Sequence, residues 1–137
     1  MRPIIHGYGE ELIGALRAYC LEEIVAEKLR ALLQNEVRRA ERGWVRPRYR
    51  DLYDLWRILG NPLAAVDRAA VRRILPDKCS VRGVTFSSAA DFFPAALLET
   101  VHVDWNADLA PLVLNLPAAE LVVADLRREV EVLLLAP

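Results

Sequence analysis

Metal-binding and redox patterns are missing from this chain. Its two cysteines, Cys20 and Cys79, stand far apart in the sequence and form neither a zinc motif nor a dithiol motif. The two histidines, His6 and His102, are isolated and give no reason to predict a metal site. We therefore expect two reduced thiols in a cytoplasmic protein.

Membrane signals are missing as well. The N-terminus has no sustained apolar region behind its early arginine, so it does not read as a signal peptide. The apolar run at 109–123 is too short to span a bilayer and is interrupted by prolines, an asparagine and a glutamate. A formal net charge of -1 provides no overall attraction to nucleic acid or to an anionic membrane. We predict no membrane function.

What is present suits one folded core. The chain has 137 residues, of which 54% are hydrophobic, and this length is enough for one core but short for two. Apolar spacing and stop signals predict short strands at 4–8 and 14–19, followed by five helical segments: 21–43, 50–59, 67–75 ending at Pro76, 88–102 running past Pro94, and 117–134. The predicted fold class is mainly α (α+β): a helical bundle with a small N-terminal β remnant. The predicted domains are the strand remnant at 1–20 and a helical domain at 21–137.

A lysine interrupts the apolar stripe of the first predicted helix. With successive residues about 100° apart, Lys28 falls near the middle of the arc formed by Leu21, Val25, Leu29 and Leu32. An unpaired ammonium in a dry core costs several kcal/mol, so a partner is expected. One interpretation is a lysine whose stem packs on the core while its amine reaches water or a carboxylate. The other is a lysine in a cleft that holds a phosphate. We expect Lys28 to lie within salt-bridge or one-water distance of Asp51 or Asp54.

The second predicted helix separates apolar from charged residues. Its predicted buried face consists of Leu52, Leu55, Trp56 and Leu59, and its opposite face carries Arg50, Asp51, Asp54 and Arg57. Asp51 and Asp54 are three residues apart and are therefore neighbours on the helix surface. This pattern is usual for a solvated charged face. It also fits two carboxylates that serve a polyphosphate site.

Arginines are concentrated around this second segment. They are Arg38, Arg39, Arg42, Arg46, Arg48 and Arg50. Such a patch could attract a nucleoside triphosphate or an RNA backbone. The solvated end of a helix would have the same composition.

Taken together, the two segments resemble a known family. The sequence Leu-Glu-Glu-Ile-Val-Ala-Glu-Lys-Leu-Arg-Ala-Leu-Leu, followed by Arg-Tyr-Arg-Asp-Leu-Tyr-Asp-Leu-Trp, is similar to the nucleotidyltransferases of AbiEii/AbiGii-type toxins, which occur in abortive-infection and toxin-antitoxin systems. The resemblance runs from about residue 6 to the C-terminus. It implies catalytic roles for Lys28 and Asp51, and nucleotide-binding roles for Arg48, Arg50 and Asp54.

The chain departs from the family at its metal site. Family members have a glycine-containing turn leading to a strand with two acidic residues one apart, and these carboxylates hold the divalent metal. This sequence contains no Asp-Xaa-Asp. It therefore looks like the C-terminal portion of a family member, with no cofactor of its own, whereas Mg²⁺ and a nucleoside triphosphate are expected for a complete member. Metal neutralisation of phosphate charge is central to phosphoryl transfer, so we expect the chain to be inactive alone.

Two functional hypotheses follow. The first is a partial toxin nucleotidyltransferase, which transfers a nucleotidyl group to RNA or protein in the complete family. Its expected partners are a nucleoside triphosphate, bound weakly or not at all by the chain alone, an antitoxin protein and an RNA acceptor. We also expect a homo-oligomer that forms through the first twenty residues, where strands lacking their usual neighbours leave exposed edges. The second hypothesis is a non-catalytic helical protein-interaction module or decayed remnant of the family.

Overall fold

The computed structural model describes residues 20–43 and 48–135 of the chain. These residues form five α-helices, and two of the connections between them contain a turn of 3-10 helix, at Pro62–Ala64 and Ala89–Phe92. We number the helices in chain order as α1 Leu21–Arg42, α2 Tyr49–Leu59, α3 Arg68–Val81, α4 Ala95–Leu109 and α5 Ala119–Leu134. The prediction of a mainly helical fold is confirmed for this part of the chain.

The predicted β remnant is neither confirmed nor contradicted by the described residues. Both strands, 4–8 and 14–19, lie outside the described residues, and so does all of the segment 1–20 except Cys20. Between 20 and 43 and between 48 and 135 the backbone contains no β-strand. The strand remnant therefore stays a prediction.

The first helix follows its sequence signals closely. α1 has glutamates in its first turn and arginines in its last turn, which suits the helix dipole. It ends at Gly43, whose φ of 78° places it in the left-handed region that glycine adopts without strain, and the Gly43 N–H donates to the carbonyl oxygen of Arg39 at 2.7 Å. The predicted end of this helix at Gly43 is confirmed.

Two predicted helix boundaries at prolines were wrong, and the first is the end of α3. α3 continues through Pro76 to Val81, although proline removes one backbone donor from the helix. The reason is packing: Val71, Leu75 and Cys79 are spaced four residues apart, and all three are buried on the same face.

The second wrong boundary concerns the segment before α4, where the predicted helix is too long. The predicted single helix from 88 past Pro94 is two elements, because Pro94 has an extended backbone with ψ of 154° and stands at the N-cap of α4. The preceding 3-10 turn is held by Asp91, whose carboxylate accepts hydrogen bonds from the backbone N–H groups of Ser87 and Ser88 at 2.7 and 3.2 Å.

The helices pack around one apolar core. α1 packs mainly against α3, while α2 packs mainly against α5 and also contacts α1 and α4. The largest fully buried side chains come from all five helices and from the second 3-10 turn: Trp105, Phe92, Leu29, Leu52, Leu75 and Leu126. Among the described residues, no helix combines the length and the apolar character needed to cross a membrane. The packing fixes α2 between α1 and α5, and α2 carries three of the five predicted site residues: Arg50, Asp51 and Asp54.

Candidate functional site

Lys28 of α1 meets both aspartates of α2. Its Nζ lies 3.0 Å from Oδ1 of Asp51 and 3.2 Å from Oδ2 of Asp54. Helical spacing explains the arrangement, since residues three apart on α2 present both carboxylates on the side that faces α1. The prediction that Lys28 pairs with Asp51 or Asp54 is confirmed, and it pairs with both.

Arg48 completes this cluster, which we call the Lys28 cluster: Lys28, Arg48, Asp51 and Asp54. Arg48 is the N-cap residue of α2, and its Nη1 lies 3.2 Å from Oδ2 of Asp51. The two oxygens of Asp51 therefore hold two different cations, one from each side. Arg50 is exposed and forms no ion pair with the described residues. The structure thus brings four of the five predicted site residues together and leaves Arg50 at the surface beside them.

The Lys28 cluster is half-buried, and its lysine is charged. The side chains of Lys28 and Asp51 are 24% and 17% exposed, whereas Asp54 is 37% exposed. Burial lowers the pKa of Lys28, but the hydrogen bond and charge of Asp51 and the charge of Asp54 outweigh it, so the pKa of Lys28 is raised above its ordinary value. A lysine with a raised pKa stays protonated at neutral pH, so Lys28 can hold an anion but cannot act as a general base.

The acidic residues of the cluster do not suit a divalent metal. Mg²⁺ binds through carboxylate and water oxygens in octahedral geometry. Here both oxygens of Asp51 and one oxygen of Asp54 are already paired with cations. Nowhere between 20 and 43 or 48 and 135 do three or more His, Cys, Asp or Glu side chains form a group that could hold a metal ion. The described residues therefore do not fit the metal that nucleotidyl transfer requires.

The arginine patch is partly neutralised by local partners. Arg39 pairs with Glu36 on α1, with Nε and Oε1 2.6 Å apart, and Arg48 belongs to the Lys28 cluster. Arg42 is exposed in the last turn of α1, and Arg46 lies outside the described residues. Among the described arginines of the patch, Arg39 and Arg48 are thus paired with carboxylates, and their positive charge is partly compensated.

Two polar contacts next to the cluster could not be found from the sequence. The hydroxyl of Tyr49 donates to Oδ2 of Asp104 on α4 at 3.1 Å, and Nε1 of Trp56 donates to Oδ2 of Asp125 on α5 at 3.2 Å. Burial, the hydrogen bond to Asp104 and nearby negative charge raise the pKa of Tyr49 to about 12. Each pair joins α2 to a distant part of the chain, and no local pattern in the sequence indicates such a pairing.

Comparison with known proteins identifies the family. A family model described as "Nucleotidyl transferase AbiEii toxin, Type IV TA system" matches residues 2–131. The chain belongs to the AbiEii nucleotidyl transferase toxin family. Neither the curated proteins nor the solved structures include a match to the chain.

The match covers both the Lys28 cluster and the helices that position it. The resemblance inferred from α1 and α2 is therefore confirmed at the level of the family. For an AbiEii family member, a protonated lysine between two helices is suited to holding a phosphate group. The roles of the individual residues stay predictions.

Proposed function

We propose that the chain supplies the phosphate-binding part of an AbiEii-type nucleotidyltransferase site and does not complete nucleotide transfer by itself. In this proposal Lys28 contacts the nucleotide phosphates and Asp51 assists the transfer. Arg48, Arg50 and Asp54 contribute to nucleotide binding. The family match supports the type of activity.

The position of Lys28 is the observation that carries the proposal. Its ammonium is held 3.0 Å and 3.2 Å from two carboxylates, yet 24% of its side chain is exposed and can be reached by a ligand. A lysine held from two sides has a fixed direction, which is what a phosphate-binding point charge requires.

Asp51 has a double role in this proposal. Because it accepts from both Lys28 and Arg48, it holds these two cations at a fixed separation. Such preorganised positive charge stabilises the charge that develops on a transferring phosphoryl group. Exposed Arg50 directly precedes Asp51 in the sequence and would contact the incoming phosphates.

The metal-binding carboxylates must come from elsewhere. The sequence has no Asp-Xaa-Asp, and the carboxylates of the Lys28 cluster are occupied by cations. We therefore propose that a complete site, with Mg²⁺ and nucleoside triphosphate, needs acidic residues that this chain does not provide. On its own the chain would bind nucleoside triphosphate weakly or not at all.

A second function stays open because the charges of the Lys28 cluster compensate one another. Two cations meet two carboxylates, so the cluster can also serve as an ion-pair network that joins α1 to α2. The chain would then be a non-catalytic helical protein-interaction module, or a decayed remnant of the family.

The proposed partners follow from the family. We propose an antitoxin protein, since the family description refers to a toxin-antitoxin system, and an RNA or protein acceptor for the nucleotidyl group. The cytoplasm, where nucleotides and RNA are abundant, is the proposed site of action. Self-association through residues 1–20 is proposed as well, although nearly all of that segment lies outside the described residues.

Binding and transfer measurements test this proposal. The chain would be titrated with each of the four nucleoside triphosphates by calorimetry, and then incubated with labelled nucleotides, Mg²⁺ and total RNA. We expect weak binding that is lost in Lys28→Met, and no labelled product. Lys78→Met is the matched control, because Lys78 is 25% exposed and also pairs with two acidic residues, Glu23 and Glu27.

Three outcomes distinguish the alternatives. Binding that is lost in Lys28→Met but kept in Lys78→Met supports the phosphate site. Binding that is equal in both variants favours the helical module. Robust labelling of RNA that Asp51→Ala abolishes would show that the chain is a complete enzyme and that the metal site was misjudged.

A further inference from the structure

A cavity lies at the C-terminal end of α2. It is bounded by α2, by the turn that follows it and by α5, and it has a volume of about 540 Å³. Its wall includes Trp56, Arg57, Gly60, Asn61, Asp125 and Arg128. This volume lies within the range of small-molecule sites, which is roughly 300–1,000 Å³. We call it the Trp56 cavity.

Gly60 and Asn61 shape the turn beside the Trp56 cavity. Gly60 brings no side chain into it, and a Cβ at this position would lie 2.9 Å from the carbonyl oxygen of Trp56. The turn is fixed by Asn61, whose side-chain oxygen accepts from the N–H of Leu63 at 3.0 Å. The cavity is therefore bounded by an ordered turn that is capped by the Asn61 side chain.

The acidic groups of the wall are already neutralised. Asp125 accepts the indole N–H of Trp56 at 3.2 Å and also pairs with Arg128. Glu129 pairs with Arg68, with Oε1 and Nη2 2.7 Å apart. These contacts leave no uncompensated carboxylate in the wall.

Arg57 leaves an uncompensated positive charge at the cavity. Its guanidinium carbon lies 5.8 Å from the ring centre of Tyr53, in cation–π geometry. It forms no ion pair with any residue from 20 to 43 or from 48 to 135. A cation without a carboxylate beside a concave surface attracts an anion.

Trp56 gives the cavity a ring in a fixed orientation. Its side chain is half-buried, and the hydrogen bond to Asp125 fixes the indole N–H. The ring of Tyr53 lies 5.9 Å from it, centre to centre, and supports it from the α2 side. A held aromatic ring favours stacking with a flat ligand, because little side-chain entropy remains to be lost.

We propose that the Trp56 cavity binds a small planar aromatic anion, whose ring packs on Trp56 and whose anionic group pairs with Arg57. Nucleoside monophosphates and aromatic carboxylates share this chemistry. The cavity has no side chain in common with the Lys28 cluster. The proposal therefore adds a second binding site to the proposed function and does not depend on it.

Calorimetric titration of the intact chain tests the proposal. The probes are AMP, GMP, CMP and UMP as nucleotides, and indole-3-acetate and benzoate as aromatic carboxylates. We expect saturable binding of at least one probe. In Arg57→Gln it should weaken by about 10-fold or more, because a hydrogen bond between charged groups is lost. Arg73→Gln is the matched control, since Arg73 is an exposed arginine on α3 away from the cavity wall.

Further variants separate this site from the Lys28 cluster. Trp56→Leu should weaken the binding, with far-UV circular dichroism confirming the helical fold. Binding that Lys28→Met abolishes and Arg57→Gln leaves intact would place the ligand at the Lys28 cluster and overturn the proposal. Absence of saturable binding up to about 10 mM for all six probes would overturn it too. A preference for nucleotides or for carboxylates identifies the source of the ligand.

Discussion

Replacing either partner of the Lys28–Asp51 pair should have unequal effects on stability. Lys28→Met keeps most of the apolar stem, which is partly buried, and removes the ammonium. Asp51 then keeps Arg48, at 3.2 Å, and Asp54 is 37% exposed and can be hydrated. We expect the free energy of unfolding to change by less than about 1 kcal/mol in either direction.

Asp51→Ala should be the costlier change. It leaves Arg48 without its carboxylate and Lys28 with Asp54 alone. A hydrogen bond to a charged group contributes roughly 1.5–3 kcal/mol, and the partial exposure of the cluster reduces this value. We therefore expect a loss of about 1–2 kcal/mol in the free energy of unfolding, measured by urea denaturation with circular dichroism at 222 nm.

The raised pKa of Lys28 makes the free energy of unfolding depend on pH. Because the folded protein raises it above the ordinary value of 10.5, the charged lysine stabilises the fold fully below about pH 10.5, and this contribution is lost as the pH rises through the higher folded pKa. The wild type should thus lose stability relative to Lys28→Met as the pH rises above about 10.5. The free energy of unfolding of Lys78→Met over the same pH range serves as the comparison.

Two results would refute this reasoning. One is a larger loss of stability in Lys28→Met than in Asp51→Ala, which would mean that the packing of the lysine stem, and not its pairing, determines its contribution. The other is a stability difference between wild type and Lys28→Met that stays constant at high pH. The double variant measures the coupling energy between the two residues directly.

Three other predictions concern single side chains. Absorbance at 295 nm should show one tyrosine titrating near pH 12, and Tyr49→Phe should remove it, because burial and Asp104 raise the pKa of Tyr49 to about 12; folding stability linked to this group should fall between pH 10 and pH 12. With a thiol reagent, exposed Cys20 should react quickly and Cys79 slowly, since burial both shields Cys79 and raises its pKa. Gly43→Ala should lower the free energy of unfolding by about 1 kcal/mol, because its φ of 78° is unfavourable for alanine; equal stability would show that the end of α1 relaxes.

Local patterns were enough to predict the helices and the Lys28 cluster. Lys28 stood in an apolar stripe, and two aspartates three residues apart stood on the next helix, so their pairing followed from the cost of burying an unpaired ammonium. Gly43 marked the end of α1 in the same way. These features depend on residues close together in the sequence or on one strong electrostatic requirement.

Boundaries set by tertiary packing could not be predicted. Pro76 signals the end of a helix, but the burial of Cys79 one turn after Leu75 carries α3 beyond it. The wall of the Trp56 cavity likewise combines α2 with Asp125 on α5, and the hydrogen bond that joins them spans 69 residues. Sequence periodicity contains no information about which helices become neighbours.

The tryptophans provide two separate optical signals. Trp105 is only 2% exposed, and its indole N–H donates to the carbonyl oxygen of Pro117 at 3.0 Å. Trp56 is half-buried and lines the cavity at the C-terminal end of α2. Trp105 should therefore emit at shorter wavelength and report unfolding of the core, whereas emission from Trp56 should respond to quenchers and to occupants of the cavity. In a Trp44→Phe background, which removes the third indole, a single emission spectrum would follow core integrity and cavity occupancy at the same time.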